Sequence, residues 1–316
     1  MENAICDICG SEDSRLVYRV RDTNYGTPGQ FNIVQCQQCQ LVYLNPRPEE
    51  CEYADIYPEM VYDPFAAIQK TGEITPTHIQ QERGRQLTER VTAGRVLDIG
   101  CADGLFLKVM RDLGWSCVGI EPNPRASRFA HEHLKSDVRR GTIFDVNEDT
   151  SFNLITLWDV LEHTPSPRAV LLHANTLLTP HGMLALSLPN WDSVERLVFR
   201  QEWIALDAPR HFYHFTPATI RRLLETCGFH TELLQACAPV LSLASNVLRQ
   251  GGNWFLRRGA GKSTQDLNIP ERRVPSRKHR LLIRLTHLGL SPLNACINLV
   301  NHGASLLIFA RKVKPL

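Results

Sequence analysis

The sequence predicts an α/β protein: a Rossmann-like sheet, preceded by a small metal-bound ribbon and interrupted before its last strand by a helical insertion. Three observations carry this. A buried strand runs through a glycine turn into a helix over residues 95–113. Two Cys-x-x-Cys pairs stand near the N-terminus, and a basic, partly apolar stretch lies close to the C-terminus. The 316 residues suffice for one large domain with a small module. A composition of 43% hydrophobic and 22% charged residues excludes collagenous and disordered classes.

The ribbon comes first. Cys6 and Cys9, then Cys36 and Cys39, form two knuckles separated by 26 residues. Each knuckle puts two thiolates on one tight turn, and two turns supply the tetrahedral set that zinc takes. Leu16–Tyr18 and Phe31–Val34 read as short strands around a turn at 24–29. A module of residues 1–48 buries little core, and a structural zinc is a usual remedy. Cys51 has no partner at matching spacing and stays outside the ligand set. The alternatives for the four cysteines are redox pairs or chance. Residues 49–94 read as a linker with one or two helices.

The main domain is expected over 95–316. Val96, Leu97 and Ile99 form a buried strand, Gly100 and Gly104 allow a tight turn and close approach of the backbone, and Leu105–Leu113 has helical spacing. Such a turn points backbone N–H groups at a ligand edge. The glycine spacing is neither the dinucleotide fingerprint nor a phosphate loop. The next strand, Cys117–Ile120, ends in Glu121, and an acid there can accept two hydrogen bonds from ribose hydroxyls.

The run from Asp98 through Gly104, followed by Gly119-Ile120-Glu121-Pro122, resembles motifs I and II of the class I S-adenosylmethionine-dependent methyltransferases, within the broad ubiquinone and sugar-type small-molecule group. The resemblance implies a seven-stranded Rossmann-like sheet. It also implies S-adenosylmethionine as cofactor, with Asp98, Gly100 and Gly104 shaping the methionine side of the pocket and Glu121 holding the ribose. Asp145, after Gly141, sits where the family has an acid near the adenine. Phe152–His163 is similar to the family's fourth strand and following turn, with Asn153 where the family more often has Asp. Trp158 either covers the adenosine or the acceptor, or packs in the core. His163 is more suited to fixing its loop than to chemistry. Arg168–Leu178 reads as a helix, Met183–Leu188 as the fifth strand, Pro217–Thr226 as a helix between Pro and Gly signals, Phe229–Ala236 as the sixth strand and Ser305–Ala310 as the closing strand. The resemblance covers about residues 95–236 and 304–314.

Methyl transfer from a sulfonium is an in-line displacement that needs alignment and exclusion of water. A hydroxyl acceptor benefits from a base. The candidates are His211 and His214, in a segment with Asp207, Arg210 and Tyr213 that leaves the ligand edge of the sheet. His211 resembles a position where the group often has histidine. The alternative for both is a capping and packing cluster. Cys101 is read as a small turn residue.

The insertion spans 237–303. From Arg249 onward the chain carries 13 Lys or Arg against Asp266 and Glu271, a net +11, which leaves −9 for the first 248 residues. Basic residues beside apolar helical faces suit either a lid or peripheral contact with an anionic membrane and a lipid-linked acceptor. Few aromatics accompany the arginines, so no nucleic acid is expected. Met1–Gly10 lacks a signal pattern and no apolar run reaches about 18 residues, so a cytoplasmic protein is expected, with the inner membrane surface as a peripheral site.

The expected function is methyl transfer to a small or lipid-linked acceptor, at a hydroxyl or a sugar carbon. The ribbon resembles those of sugar C-methyltransferases and keeps carbon open. The alternatives are a ribbon binding protein on a degenerate scaffold and an RNA methyltransferase. The catalytic Asn/Asp-Pro-Pro-Tyr/Phe motif of the amino-methylating enzymes is absent, its nearest candidate being Leu188-Pro189-Asn190-Trp191.

Overall fold

A computed structural model describes residues 1–57, 77–134, 137–147, 151–237 and 302–313, with Asn246 and Ile297. Its contacts group into two compact units, each built from separate stretches of chain. One comprises Met1–Tyr62, Pro189–Thr219 and Gln235–Leu306; the other Asp63–Leu188, Ile220–Leu234 and Leu307–Leu316.

In the first unit β1 (Ser14–Val20), β2 (Phe31–Cys36), β3 (Val42–Leu44) and β9 (Tyr213–His214) form a four-stranded sheet in the order β1-β2-β3-β9. The hairpin expected from Leu16–Tyr18 and Phe31–Val34 is present and longer. It is antiparallel from Ser14 opposite Cys36 to Val20 opposite Phe31, with a register slip between Leu16 and Tyr18. The strand pattern explains the sheet: Phe31, Ile33, Val34 and the whole of β3 are buried. The fourth strand comes from far along the chain, with Val42 opposite His214 and Tyr43 opposite Tyr213. A two-residue strand has no periodicity to read, so sequence reasoning missed it. A short helix, α1 (Tyr53–Ile56), follows the ribbon. Another, α6 (Val194–Phe199), starts where the Ser193 hydroxyl accepts the Arg196 N–H at 3.1 Å.

Among the described residues of the second unit the first element is α2 (His78–Thr88), whose first turn is closed by a reciprocal Thr77–Gln80 capping box. There follow β4 (Arg95–Ile99), α3 (Leu105–Asp112), β5 (Ser116–Glu121), α4 (Pro124–Leu134), β6 (Asp137–Arg140), β7 (Phe152–Trp158), α5 (Pro167–Leu177), β8 (Leu178–Pro189), α7 (Pro217–Thr226), β10 (Phe229–Cys237) and β11 (Ser305–Lys312). The Ser166 hydroxyl caps α5 and Pro167 occupies its first turn, which sets the start one residue ahead of the expected Arg168. The sheet has seven strands in the order β10-β11-β8-β7-β4-β5-β6. Strands β6, β5, β4, β7 and β8 run parallel. Four of the five residues of β4 are buried, the apolar Val96, Leu97 and Ile99 together with Asp98, as in a strand covered on both faces. The core gathers Val96, Phe106, Met110, Trp115, Leu154, Met183 and Phe309, with Leu87 from α2. Each such side chain contributes about 1.5–3 kcal/mol on burial.

From β4 the chain steps one way to β5 and β6, then returns to the other side for β7 and β8. The C-terminal ends of β4 and β7 therefore flank the switch point where α/β sheets bind ligands. The basic insertion expected at 237–303 lies outside the described residues, apart from Cys237, Asn246, Ile297 and the last two positions. Among the described residues no helix is long and apolar enough to cross a membrane.

Candidate functional site

The glycine turn after β4 is built as its sequence requires. Gly100 has φ +66°, and a Cβ there would stand 2.6 Å from Val160 Cγ2, so both backbone and space demand glycine. Gly104, at φ +74°, caps the start of α3. Between them Ala102 holds φ +46°, an uncommon conformation for a residue with a side chain. Its N–H donates to Glu121 Oε2 at 2.9 Å, while the Asn123 N–H donates to Oε1 at 2.8 Å. Burial pushes the Glu121 carboxyl up, and these two N–H donors oppose the shift. One carboxylate thus joins the exits of β4 and β5.

Asp98 lies at the same edge but is 2% exposed, and accepts a 2.6 Å hydrogen bond from the Thr156 hydroxyl on β7. Burial pushes its carboxyl up to about 7, against the pull of Thr156 and of the positive charge of Arg83. Arg83, on α2, was missed in the sequence because nothing in a polar helix face marks one arginine. Its guanidinium lies over the Trp158 ring at 4.3 Å, donates to Ser187 Oγ at 2.9 Å and stands 3.7 Å from the Asp159 carboxylate. Trp158 also meets Phe106 edge to face at 5.2 Å, and its indole N–H has no protein partner among the described residues. These contacts give Trp158 a packing role whether or not it also touches a ligand. Asp145 is held in its own turn, where the Thr142 N–H and hydroxyl donate to it at 2.7 and 3.0 Å and keep its carboxyl below the usual range. Asp98, Gly100, Gly104, Glu121, Asp145 and Trp158 all belong to the second unit.

The cysteines and both candidate histidines belong to the first unit. Cys6, Cys9, Cys36 and Cys39 bring their sulfurs within 4.8 Å of one another, with Cys6 and Cys39 at 3.2 Å and Cys9 and Cys36 at 3.6 Å. A tetrahedral zinc with Zn–S bonds of about 2.3 Å separates its sulfurs by about 3.8 Å, so the set fits that ion. Burial opposes ionisation of Cys36, but the backbone N–H groups of Cys39 and Gln38 outweigh it and bring the thiol down to about 7. Cys101, by contrast, is buried and pushed far up, as for an inert thiol.

His211 and His214 differ sharply. His214 is 2% exposed, packs against the Trp191 ring at 5.2 Å, and has neither ring nitrogen partnered among the described residues. Burial pushes its imidazolium down to about 3, which leaves it neutral and a weak base. The His211 Nδ1 lies 2.8 Å from the Ala205 carbonyl, which can only accept, so the proton sits on Nδ1 and the lone pair of the neutral ring on Nε2. Nε2 is 3.9 Å from the Asp207 carboxylate. A neutral imidazole with its proton held on Nδ1 and a carboxylate near Nε2 can take up a proton at Nε2.

A family model described as a methyltransferase domain matches residues 72–234, more than half of the chain. The chain is 26% identical over 220 residues to a ubiquinone biosynthesis O-methyltransferase of Histophilus somni, covering 60% of this chain and 90% of the relative. It is 30% identical over 155 residues to the enzyme of the same description from Xanthomonas euvesicatoria pv. vesicatoria, covering 45% of this chain and 65% of that one. A solved SAM-dependent methyltransferase from Archaeoglobus fulgidus aligns with 19% identity and a TM-score of 0.48, over 78% of this chain and 99% of that chain. The chain belongs to the methyltransferase domain family and is a SAM-dependent methyltransferase.

Proposed function

We propose that the methyl acceptor is a small or lipid-linked molecule, methylated at a hydroxyl or, as the second option, at a sugar carbon. The observation that carries the reading is the similarity to a ubiquinone biosynthesis O-methyltransferase along 90% of that protein's length. S-adenosylmethionine supplies an electrophilic methyl group on a sulfonium. In this reading Glu121 accepts the ribose hydroxyls, its carboxylate already oriented by the Ala102 and Asn123 N–H groups. The turn at Gly100–Gly104 shapes the methionine side, where the Asp98 carboxyl offers negative charge once ionised, above about pH 7, and Arg83 offers a guanidinium for a carboxylate. His211 takes the acceptor proton at Nε2, and Asp207 steadies the imidazolium that results. His214 supports the ring-packed wall beside it. Asp145 and Trp158 contribute to the adenosine side. Cys6, Cys9, Cys36 and Cys39 hold a structural zinc.

The test is transfer of isotope-labelled methyl to a panel of hydroxylated ring compounds, with and without an isoprenoid tail, and of nucleotide-linked sugars. Label on an oxygen of a ring compound supports the reading, and label on a sugar carbon supports the second option. Label appearing only on RNA, or S-adenosylmethionine failing to bind in calorimetric titration, defeats both.

A further inference from the structure

Asp22 follows β1 on the loop of the ribbon hairpin, and its side chain is fully buried. Arg210 is buried to the same degree, 188 residues away, and donates to it twice: Nη1 to Oδ2 and Nη2 to Oδ1, each at 2.8 Å. The other edge of the guanidinium meets Asp207, with Nε 3.1 Å from both carboxylate oxygens and Nη2 2.6 Å from Oδ1. The Tyr25 ring lies under the guanidinium at 4.3 Å, and the Ile56 carbonyl accepts from Nη1 at 3.3 Å. Asn24, on the same loop, donates to the Asp207 carboxylate and, at 3.3 Å, to the Ile204 carbonyl. Asp22 is itself held by the N–H groups of Asn24, Tyr25 and Thr27 at 2.9–3.0 Å.

A buried ion network of this kind adds little stability over well-packed apolar residues, while breaking one partner is costly. What it supplies is geometry. Asp207 turns the chain at φ +31°, and its carbonyl accepts the N–H groups of Arg210 and His211 at 2.8 and 3.0 Å. The next residues along, Tyr213 and His214, are pinned as the fourth strand of the ribbon sheet. The Leu44 N–H donates to the Phe212 carbonyl at 2.8 Å, and Arg47 donates to the Tyr213 hydroxyl at 2.9 Å. His211 therefore lies between two anchors, both supplied by the ribbon. Two carboxylates share the guanidinium, and that of Asp207 is the one 3.9 Å from His211 Nε2.

We propose that Asp22 is a positioning residue for His211, so that the four-cysteine ribbon is a working part of the acceptor site and not an appended module. Through Arg210 and Asp207 it fixes the 204–211 turn in which the Ala205 carbonyl locks the His211 tautomer. The proposal rests on the reading that His211 serves the acceptor.

The test uses the full-length protein labelled with nitrogen-15 in its imidazole rings, the His211 signals being assigned by their loss in His211→Gln. At a pH high enough for the ring to be neutral, the two ring nitrogens of the wild type should give widely separated signals, those of a fixed Nδ1–H tautomer. In Asp22→Asn they should move toward one another as the tautomers average, and Asn24→Ala should produce a smaller shift of the same kind. S-adenosylmethionine affinity and metal content should stay within about twofold of wild type and so report that the chain is folded. If Asp22→Asn does not fold, Asn24→Ala decides. Unchanged His211 signals in a folded variant overturn the proposal. The tautomer readout needs no acceptor. Failure of the base assignment would show separately, as full methyl transfer by His211→Gln to the acceptor found in the labelling screen.

Discussion

Glu121 and Ala102 meet across the ends of two parallel strands: the Ala102 N–H, in a left-handed turn, donates to Glu121 Oε2 at 2.9 Å. The Asn123 N–H occupies the other oxygen at 2.8 Å, so the carboxylate is oriented before any ligand arrives. Hydrogen bonds from ribose to an oriented carboxylate are worth about 1.5–3 kcal/mol each. Glu121→Ala is expected to weaken S-adenosylmethionine binding at least about tenfold, the equivalent of about 1.4 kcal/mol. Glu121→Gln should fall between, since it keeps the shape and loses the charge. Equal affinities of all three proteins in calorimetric titration would remove Glu121 from the pocket.

Asp98 gives a pH signature. Its folded carboxyl is pushed up to about 7, whereas an unfolded aspartate titrates near 3.9. Between about pH 4 and 7 the folded state keeps a proton that the unfolded state has released. The stability this group contributes is therefore full below about pH 4 and lost as pH rises through 7. Without cofactor, Asp98→Asn should become more stable relative to wild type as pH rises from 5 to 8 in thermal melts. Because the cofactor is cationic at its sulfonium, wild-type affinity should rise over the same range and that of the variant stay flat. Parallel pH profiles would show that Asp98 does not titrate there.

Gly100→Ala tests the turn. The φ of +66° costs alanine about 1–2 kcal/mol, and the new methyl would sit 2.6 Å from Val160 Cγ2. Repacking around such an intrusion adds about 1–3 kcal/mol. The variant should melt lower and bind S-adenosylmethionine at least about tenfold more weakly. Adding Val160→Ala should recover the part due to the clash but not the part due to φ. No recovery would place the whole effect in the backbone.

The four cysteines should bind about one zinc per chain. Cys36→Ser, which removes one of the four clustered sulfurs, should drop the metal content of purified protein well below one equivalent. Full occupancy in that variant would exclude Cys36 as a ligand.

The basic C-terminal part, with its net +11 from Arg249 onward, is expected to bring the protein to anionic vesicles at low salt. Binding should fade with added salt, since the Debye length shrinks to about 3 Å at about 1 M. Replacing Arg272, Arg273, Arg277 and Lys278 by Gln should weaken it without changing cofactor affinity. A wild-type protein that ignores such vesicles would leave this stretch as a lid and favour a soluble acceptor.

Strands β4, β5, β7, β8 and β10, helices α3, α5 and α7, the glycine turn, the acid at Glu121 and the four-cysteine cluster were legible in the sequence, whereas α4, α6 and β9 were not read from it. Each feature that was read depends on local periodicity, on a conformation only glycine takes freely, or on a fixed short spacing, and these survive without knowledge of distant neighbours. Whether a given polar residue is buried, paired or strained is not local. The sequence offered both His211 and His214, three residues apart, as candidates, with a family resemblance behind His211 alone. Tertiary packing separated them, enclosing His214 among aromatic rings and giving His211 the Ala205 carbonyl and the Asp207 carboxylate. Arg83 over Trp158, Thr156 on Asp98, and the pairing of Asp22 with Arg210 across 188 residues were likewise decided only by the fold. A contact between residues far apart in sequence leaves no pattern in either stretch, and burial, which sets what each charge costs, exists only once the chain has closed on itself.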